Sequence, residues 1–551
     1  MRTPIALYLL ALVVRLVLIA IFPDPAYPDS YYYVDAARAF AGGQGLQVDF
    51  VWIFAEVGGH IPAVPTLPIP SNAHWMPLAS FVQVPFIWLL GPTAVASALP
   101  FALIGALAAP LAWAIGREAG ARPFVSLGAG ILTAVPALSL VFMAQPDNFS
   151  LYQPLVAGAL WMAARGLKGH ARSFALGGFL VGLATLSRND GLLVGGTLSL
   201  AFLYDRWRAW RSGGSRLPAI PWWSAVVCFG LFLAVMAPWW IRQLEVFGQF
   251  SPSTASGKVL YIRSIEEWNS ITTPATLDYL LGQGIGPLIA SRIGGFVAAV
   301  GIFSTLIGAG ILVPFMLIGG WARRRSADFG PFFTYAAILF AFSALVSAVH
   351  VPGGTFIHSA VALAPHAYLL AIEGIVVAVA WIAARRRTWN AEAATRLFVP
   401  VIVGLAVVAA IPAALSVQGR WSRERTERRA VAAALDLAGA SLDARLMTID
   451  PAGFRYYTGR GGVVATNDSI DTLHDIAMAY QVEWLIIEAD DSVPALAPVF
   501  AGESRPPWIG PKLIGIPGPT GDSAAIYPVC VSPVDPRCEV TASVGQRVVG
   551  P

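Results

Sequence analysis

The sequence has little charge for its length and very few lysines and cysteines. Asp, Glu, Lys and Arg together make up 12% of the 551 residues, whereas about 25% is usual in soluble domains. Hydrophobic residues make up 56%, the mean hydropathy is +0.65, and apolar runs of about 20 residues recur along the chain. This composition excludes an ordinary soluble protein and indicates a polytopic membrane protein.

Several functional classes are excluded by what is missing. The net charge of +4 is small and sits mostly in short loops, so it indicates topology and no nucleic-acid partner. There is no GxxxxGK phosphate loop and no HExxH zinc motif. Three cysteines are too few for a cluster of metal-binding thiolates. Cys530 and Cys538 could form a disulfide in an oxidising compartment.

The hydrophobic pattern predicts 11 membrane spans. Residues 6–22 form an uncleaved first helix, because the apolar run contains Arg15 and has no clear small-residue cleavage site. Residues 78–90 are too few for a span, and treating them as a half-buried helix places every strong Arg/Lys cluster in the cytoplasm. We therefore expect a plasma-membrane (inner-membrane) protein with a cytoplasmic N-terminus, a last span at 397–417 and an extracytoplasmic C-terminus.

Two domains are predicted. Residues 1–417 form an all-α multi-pass domain with outer loops at 23–77 and 241–291. Residues 418–551 form a soluble α/β domain outside the membrane, because predicted strands alternate with predicted helices. Its predicted elements are helices at 423–439 and 470–480, strands at 445–449 and 484–488, and an irregular stretch at about 502–522.

Asp29 is the strongest candidate for catalysis. It follows the first span and precedes three tyrosines, Tyr31 to Tyr33, so a carboxylate lies where a membrane helix meets water. It could act as a general base toward an acceptor hydroxyl. It could also be the N-cap of a helix over residues 30–41, since Asp is favoured there. The two roles are compatible.

Three buried or interfacial polar residues have alternative interpretations. Asp147 lies at the start of a predicted span and either caps that helix or contributes to a site. Arg188 lies between two short apolar segments, where it either pairs with Asp190 or binds a phosphate bidentately. Arg15 either extends toward the interface or pairs with a carboxylate.

The second outer loop has a basic surface formed by Arg242, Lys258 and Arg263, which are either ordinary loop charges or ligands for an anion. A loop histidine is usually structural, but it could also bind a sugar or a phosphate. Three histidines fall in this class: His74, His350 and His358.

Five short motifs, in this order on this topology, resemble the GT-C glycosyltransferases. The resemblance is greatest to the bacterial protein-mannosyltransferase and aminoarabinose-transferase branch. The motifs are Asp29 with its tyrosines, His74-Trp75-Met76-Pro77-Leu78, Leu186-Ser187-Arg188-Asn189-Asp190-Gly191, Pro238-Trp239-Trp240-Ile241-Arg242, and Tyr456-Tyr457-Thr458-Gly459-Arg460.

The resemblance implies a polyprenyl-phosphate-linked sugar donor and a reaction on the outer face of the membrane. Asp29 matches the catalytic base of the family, in a single inverting displacement. Arg188, Arg242 and Arg263 match the residues that hold the donor phosphate. The expected substrate-binding residues are Tyr32, His74, Asp147 and His358.

The expected partners are the lipid donor, the bilayer and an acceptor that is a protein, a lipid or a polysaccharide. No cofactor is expected, because paired carboxylates with metal-ligand spacing are absent from the sequence; a divalent metal is possible but has no support in it. Three alternatives stay open: a transporter or flippase of lipid-linked sugars, a polymerase or ligase of finished glycans, and a non-catalytic envelope scaffold.

Overall fold

A computed structural model describes residues 2–213, 215–249, 256–346, 355–386, 388–519, 521–530 and 537–538. The chain divides into two compact units. Unit 1 comprises Met1–Asp24, Met76–Phe250 and Ile289–Gln418, and unit 2 comprises Pro25–Trp75, Ser251–Leu288 and Gly419–Pro551. Most of both predicted outer loops therefore groups with the C-terminal residues. The domain division predicted from the sequence instead assigns these loops to the membrane domain at residues 1–417.

Helices account for most of the described chain. The first twelve are α1 (Arg2–Ile21), α2 (Pro28–Ala41), α3 (Ile53–Glu56), α4 (Leu78–Phe81), α5 (Val84–Leu90), α6 (Ala94–Gly105), α7 (Ala108–Glu118), α8 (Pro123–Ala134), α9 (Phe149–Leu167), α10 (Ala171–Ser187), α11 (Gly191–Arg211) and α12 (Trp222–Phe247). The others are α13 (Ile265–Trp268), α14 (Leu277–Gly282), α15 (Ile285–Ile302), α16 (Val313–Arg323), α17 (Gly330–Ala341), α18 (Thr355–Ala360), α19 (Ala364–Ala383), α20 (Ala391–Leu437), α21 (Pro451–Thr458), α22 (Ile470–Ala479) and α23 (Ala497–Phe500).

Six helices of the described residues are long and apolar enough to cross a membrane, or seven if one bent pair counts as a single span. They indicate a multi-pass membrane protein, whereas the number of 11 spans stays a prediction. The apolar helices at Leu78–Leu90, Ala171–Ser187 and Gly330–Val346 are shorter. The bent pair joins α8 to a 3-10 helix, Ala137–Ala144, at an angle of 53°.

Arg15 lies beside this bend and is fully buried in unit 1. Its Nη1 donates to the carbonyl oxygens of Ala11, at 3.1 Å, and Ala134, at 3.3 Å. Ala134 is the last residue of α8, so the guanidinium binds a carbonyl that the helix itself leaves without a partner. Among the described residues Arg15 pairs with no carboxylate, which differs from one of its two predicted roles.

The described residues of unit 2 form two sheets, one of two strands and one of six. The strands are β1 (Gln47–Val48), β2 (Phe50–Val51), β3 (Ile69–Pro70), β4 (Arg445–Thr448), β5 (Gly462–Val464), β6 (Val482–Glu488), β7 (Ile514–Gly518) and β8 (Gly521–Pro528). β1 pairs antiparallel with β3, and the main sheet has the order β2-β5-β4-β6-β8-β7. The first four strands of this order are parallel, and β8 and β7 are antiparallel additions.

Local sequence explains the centre of this sheet. The segment β4-α21-β5-α22-β6 alternates buried strands with helices, as parallel pairing requires. Asp450 caps α21 by accepting from Gly453 N, and Ser469 caps α22 by accepting from Thr472 N. Leu446, Trp484 and Ile526 belong to the core that the sheet shares with the end of α20.

The helix predicted at 423–439 is present as the end of α20, which runs without interruption for 47 residues and also includes the predicted last span. Gly419 alone does not break a helix. The stretch at 502–522 is not irregular throughout, since it contains β7 and the start of β8. β7 lies at the edge of the sheet and β8 lies between β6 and β7. Gly515, Pro517 and Gly518 interrupt the hydrophobic pattern of β7, because such residues are unusual inside strands.

Glycines allow two helices of unit 1 to pack closely. A Cβ at Gly319 of α16 would overlap the carbonyl of Leu370, and one at Gly374 of α19 would overlap the carbonyl of Phe315. Small residues at such a crossing let helix backbones approach each other, which is how many membrane helices associate. Arg323 and Glu373 add an ion pair between the same helices, with Nε 2.6 Å from Oε2.

We expect Gly374→Ala to lower the free energy of unfolding by about 1–3 kcal/mol, the usual cost of overpacking. The added methyl group would push α16 and α19 apart. The measurement is thermal unfolding of the solubilised protein. Gly404→Ala in α20 is the matched control, because no atom lies within 4 Å of a Cβ at that position. Equal unfolding temperatures for both variants would contradict the close packing.

Candidate functional site

Asp29 lies in the first turn of α2 and is not its N-cap. The helix begins at Pro28 with Tyr27 as the N-cap. Ser30 Oγ accepts from the backbone N–H groups of Ala26, at 3.0 Å, and Tyr27, at 3.1 Å. The capping interpretation of Asp29 was therefore wrong. Its half-buried carboxylate instead accepts a hydrogen bond from the indole of Trp75, with Nε1 2.8 Å from Oδ1.

Aromatic side chains surround Trp75 within unit 2. Its ring stacks on Tyr32 with 4.2 Å between centroids, and Tyr32 Oη accepts from Asn72 N at 2.6 Å. His74 contacts Trp75 at 4.9 Å between centroids. We call this group with its neighbours the aromatic cluster; its members are Tyr32, Trp52, Phe54, His74, Trp75 and Trp268. Rigid aromatic surface beside a carboxylate is typical of a small-molecule site.

Glu56 is a second carboxyl group at this cluster, and it is buried. Its Oε2 accepts from Trp52 N at 3.0 Å. Its Oε1 and the Trp52 indole Nε1 are buried without a hydrogen-bond partner among the described residues. Burial raises the pKa of Glu56 to about 8, while hydrogen bonds from the Trp52 N–H and the Tyr32 hydroxyl act to lower it. At neutral pH the carboxyl group is thus mostly protonated and can donate a hydrogen bond.

This raised pKa makes the stability of the loop depend on pH. The folded state binds the proton of Glu56 more tightly than an unfolded chain with a pKa near 4.5. The free energy of unfolding therefore falls as the pH rises from about 4.5 to about 8. In Glu56→Gln, which cannot ionise, we expect that fall to be absent.

Hydrogen exchange of the peptide covering residues 50–59 measures this effect. The difference between variant and wild type at each pH removes the intrinsic pH dependence of exchange. Glu503→Gln, at an exposed position, is the control and should match the wild type throughout. An identical pH dependence in wild type and Glu56→Gln would show that Glu56 titrates normally.

Asp147 and His358 come together inside unit 1. Asp147 is fully buried and His358 is 7% exposed. His358 Nε2 lies 3.4 Å from Asp147 Oδ2, and the imidazole stacks on Phe149 with 4.3 Å between centroids. Asp147 Oδ1 accepts from Asn148 N at 2.5 Å, while the N-cap of α9 is Asn148. Asp147 is thus not a helix cap. His350 lies outside the described residues.

Arg188 has the carboxylate partner that its first interpretation predicted. Its Nε lies 3.0 Å from Oδ1 of Asp190, and the hydroxyl of Ser359 donates to Oδ2 of the same carboxylate. Nearby in unit 1, the hydroxyls of Tyr152 and Tyr335 lie 3.1 Å apart. The Asp190 carboxylate therefore offsets the positive charge that Arg188 offers to a phosphate.

The other two predicted phosphate ligands have different surroundings. Arg242, near the end of α12, lies over the rings of Trp239 and Phe247, at 4.9 and 5.5 Å from their centroids. Arg263 in unit 2 is held by Glu267, with Nε 3.1 Å from Oε1. The Glu267 carboxylate, through a hydrogen bond and its charge, raises the pKa of Arg263 above its ordinary value. Arg263 is thus committed to a local ion pair.

Asp147 and His358 are the two residues within unit 1 that we consider as metal ligands. Asp147 and His358 offer one oxygen and one nitrogen, types of ligand that zinc accepts. A structural zinc site takes four protein ligands and a catalytic one takes three, and this pair supplies two. The expectation that no metal is needed stays a prediction.

Two residues of the candidate site, Trp75 and Glu56, could not be assigned from the sequence. Trp75 was noticed only as part of a motif, and Glu56 was not noticed. Both gain their roles from the folding of loop 23–77 onto itself, which no local pattern encodes. A carboxyl group inside the apolar, aromatic run at 50–57 was the one available signal.

Neither a protein-family model nor a curated protein sequence matches this chain, but solved structures do. The structure of ArnT from Cupriavidus metallidurans bound to undecaprenyl phosphate is 14% identical, with a TM-score of 0.54, over 96% of this chain and 98% of that one. The apo structure of ArnT is 12% identical, with the same TM-score, over 95% and 97%. This chain has the GT-C fold.

The GT-C fold confirms the resemblance inferred from the motifs. The agreement covers nearly the full length of both chains, as expected if all the motifs belong to one architecture. At this level of identity the likeness establishes the fold. The substrates and the roles of the site residues are proposals, which depend on the chemistry described above.

Proposed function

We propose that the protein is a membrane glycosyltransferase. It transfers a sugar from a polyprenyl-phosphate donor to an acceptor hydroxyl on the outer face of the membrane. The observation that carries this proposal is the Asp29 carboxylate, oriented by the Trp75 indole at 2.8 Å and bordered by the aromatic cluster. The GT-C fold supports it, since ArnT with this fold was crystallised with undecaprenyl phosphate.

In the proposed reaction Asp29 is the general base. Its carboxylate takes the proton of the acceptor hydroxyl, and the acceptor oxygen forms a bond to the anomeric carbon of the sugar. The bond from that carbon to the phosphate oxygen breaks, and its electron pair leaves with the polyprenyl phosphate. One displacement inverts the anomeric configuration, and the sugar is a hexose or a pentose.

Cationic side chains stabilise the leaving phosphate in this proposal. Arg242 contributes a guanidinium group held by two aromatic rings. Arg188 and Arg263 already bind the carboxylates of Asp190 and Glu267, which offset the positive charge that they offer to a phosphate. We therefore expect replacement of Arg242 to weaken donor binding more than replacement of Arg263.

The remaining predicted residues position the substrates. Tyr32 and His74 belong to the aromatic cluster and offer ring faces to a sugar. Asp147 and His358 form a buried pair that can hydrogen-bond to sugar hydroxyls. The acceptor is the hydroxyl of a protein, a lipid or a polysaccharide.

The proposed location is the plasma membrane, with a cytoplasmic N-terminus and an extracytoplasmic C-terminal segment. The disulfide between Cys530 and Cys538 supports this orientation, because disulfides persist outside the cytoplasm. No divalent metal takes part in the proposed step. Full activity after extensive dialysis against a chelator would agree with that expectation.

Donor turnover tests the proposal. The protein is purified in lipid nanodiscs and supplied with radiolabelled polyprenyl-phosphate hexoses and pentoses and a crude envelope extract. We expect release of free polyprenyl phosphate and transfer of label into the extract. Folded protein that releases no polyprenyl phosphate from any donor would overturn the proposal. Movement of intact donor across the membrane would then favour the flippase alternative.

A further inference from the structure

A cleft in unit 2 lies between its two loop segments. It has a volume of about 370 Å³, within the range of small-ligand sites. Phe54, Gly58 and Gly59 line one side, and Lys258 with residues 271–275 lines the other. No carboxylate is among these lining residues, so the cleft has one formal positive charge and no negative one.

The ammonium group of Lys258 has neutral partners only. Its Nζ donates to the carbonyl oxygens of Trp268, at 3.0 Å, and Ser270. Among the described residues no carboxylate lies within 4.0 Å of it. The chain's other two lysines differ, since Lys168 lies 2.6 Å from Asp328 and Lys512 lies 2.9 Å from Asp522. Two of its three N–H groups are used, so one stays available to a ligand.

The wall beside Lys258 is held in place by Asp468. The Asp468 carboxylate accepts from Ser270 Oγ at 2.5 Å, from Ile271 N at 2.8 Å, and from Thr272 through N at 3.1 Å and Oγ1 at 2.5 Å. Burial acts to raise the pKa of Asp468, but these hydrogen bonds lower it below its ordinary value. The negative charge of Asp468 thus binds the loop at residues 270–272. These contacts hold that side of the cleft in one conformation before a ligand binds.

Burial also affects the ammonium itself. Loss of solvent lowers the pKa of Lys258 to about 8, while the charges of Asp468 and Glu267 act to raise it. The group is still mostly protonated at neutral pH. It is a half-buried cation that no carboxylate of the described residues contacts directly, so it can form a charge-assisted hydrogen bond to an anion.

We propose that this cleft is an acceptor subsite for a sugar unit that carries one negative group, a carboxylate or a phosphate. Lys258 binds the anion, the oxygen of Thr272 Oγ1 accepts from a sugar hydroxyl, and Phe54 packs against the apolar part of the sugar. The subsite deepens the proposed function, because it narrows the acceptor to an acidic saccharide. The role of the subsite in sugar transfer rests on the proposed function, whereas the binding of an anionic sugar does not.

The test is ligand binding to the full chain, separate from catalysis. Saturation-transfer NMR is recorded in phosphatidylcholine nanodiscs, which have no net lipid charge, with glucuronate, glucose 6-phosphate and glucose as probes. The two anionic sugars distinguish a carboxylate source from a phosphate source. The variants are Lys258→Met, Lys258→Arg and, as matched control, Lys512→Met, each checked for folding by thermal unfolding.

We expect at least one anionic sugar to bind the wild type about tenfold or more tightly than glucose, as a charge-assisted hydrogen bond allows. Lys258→Met should lose that preference, Lys258→Arg should keep most of it, and Lys512→Met should match the wild type. Equal binding of all three sugars, no binding of either anionic sugar, or wild-type affinity in Lys258→Met would overturn the inference. Donor turnover on the same samples shows independently whether the proposed function holds.

Discussion

Asp29→Asn should lower the rate of sugar transfer by about 10²–10⁴-fold, which is the usual contribution of a general base. Asparagine has nearly the same shape as aspartate, and its amide oxygen can still accept from the Trp75 indole, which lies 2.8 Å from Oδ1 in the native chain. The substitution therefore removes the proposed proton acceptor while keeping an acceptor for the Trp75 indole. Release of polyprenyl phosphate in nanodiscs is the measurement.

The control for Asp29→Asn is Asp278→Asn. Asp278 is an exposed acid in the first turn of α14 in the same unit, so its replacement removes the same charge away from the aromatic cluster. It should retain wild-type turnover. Full transfer activity in correctly folded Asp29→Asn would falsify the assignment of the base. A further variant, Trp75→Phe, removes only the indole donor. Its rate of sugar transfer should lie between the rates of Asp29→Asn and Asp278→Asn.

Arg428→Met should be the most destabilising change in unit 2. Arg428 is buried between two carboxylates, with Nη1 2.5 Å from Asp450 Oδ2 and Nε 3.6 Å from Glu488 Oε1. Burial raises the pKa of Glu488 to about 7, and the Arg428 charge acts against that rise. Removing one partner of a buried ion pair typically costs about 3–5 kcal/mol, because the other charge loses its compensation.

The effect of Arg428→Met should reach the helix that carries Asp29. The guanidinium lies 5.3 Å from the ring centroid of Tyr31 in α2, and Tyr31 also contacts Tyr456 and Tyr457. We expect faster hydrogen exchange in β4, β6 and α2, together with lower transfer activity. The measurement is hydrogen exchange with mass spectrometry on the solubilised protein.

Two further variants separate charge from general disruption. Arg423→Met changes an exposed arginine of the same helix and should leave exchange unchanged. Arg428→Met combined with Asp450→Asn should regain part of the lost stability, since a neutral side chain is less costly to bury than a charge. The Asn oxygen can still cap α21. Protection equal to wild type in the single variant Arg428→Met would show that the ion pairs contribute nothing.

The features that could be predicted from the sequence are those that depend on a local pattern of residues. Asp29 stands out because a carboxylate followed by tyrosines at the end of an apolar run is a local feature, and its catalytic role stays a prediction. The strands now seen at Arg445–Thr448 and Val482–Glu488 were identifiable for the same reason, since a short apolar run between turns indicates a buried strand. The pairing of Arg188 with Asp190 was one of two stated alternatives, and their positions two residues apart made it available.

What could not be predicted depends on contacts between distant parts of the chain. The hydrogen bond from Trp75 to Asp29 joins residues 46 positions apart. The loop around Lys258 is held by Asp468, about 200 residues later. The break between α8 and the following 3-10 helix lies inside an apolar run that reads as one span, and only Pro136 marks it.

The pairing of β2 with β5 also constrains when the site can exist. Phe50 of the first loop is in register with Gly462, about 400 residues later. A ribosome adds residues at about 5–20 per second, so the first loop emerges tens of seconds before its neighbouring strand. Until then the segment from Asp29 to Trp75 lacks the sheet that supports it. A chain still being synthesised would therefore complete its long apolar helices before this sheet can form. We expect the proposed transfer activity to begin only after β4 and β5, which lie in about the last fifth of the chain, have been added.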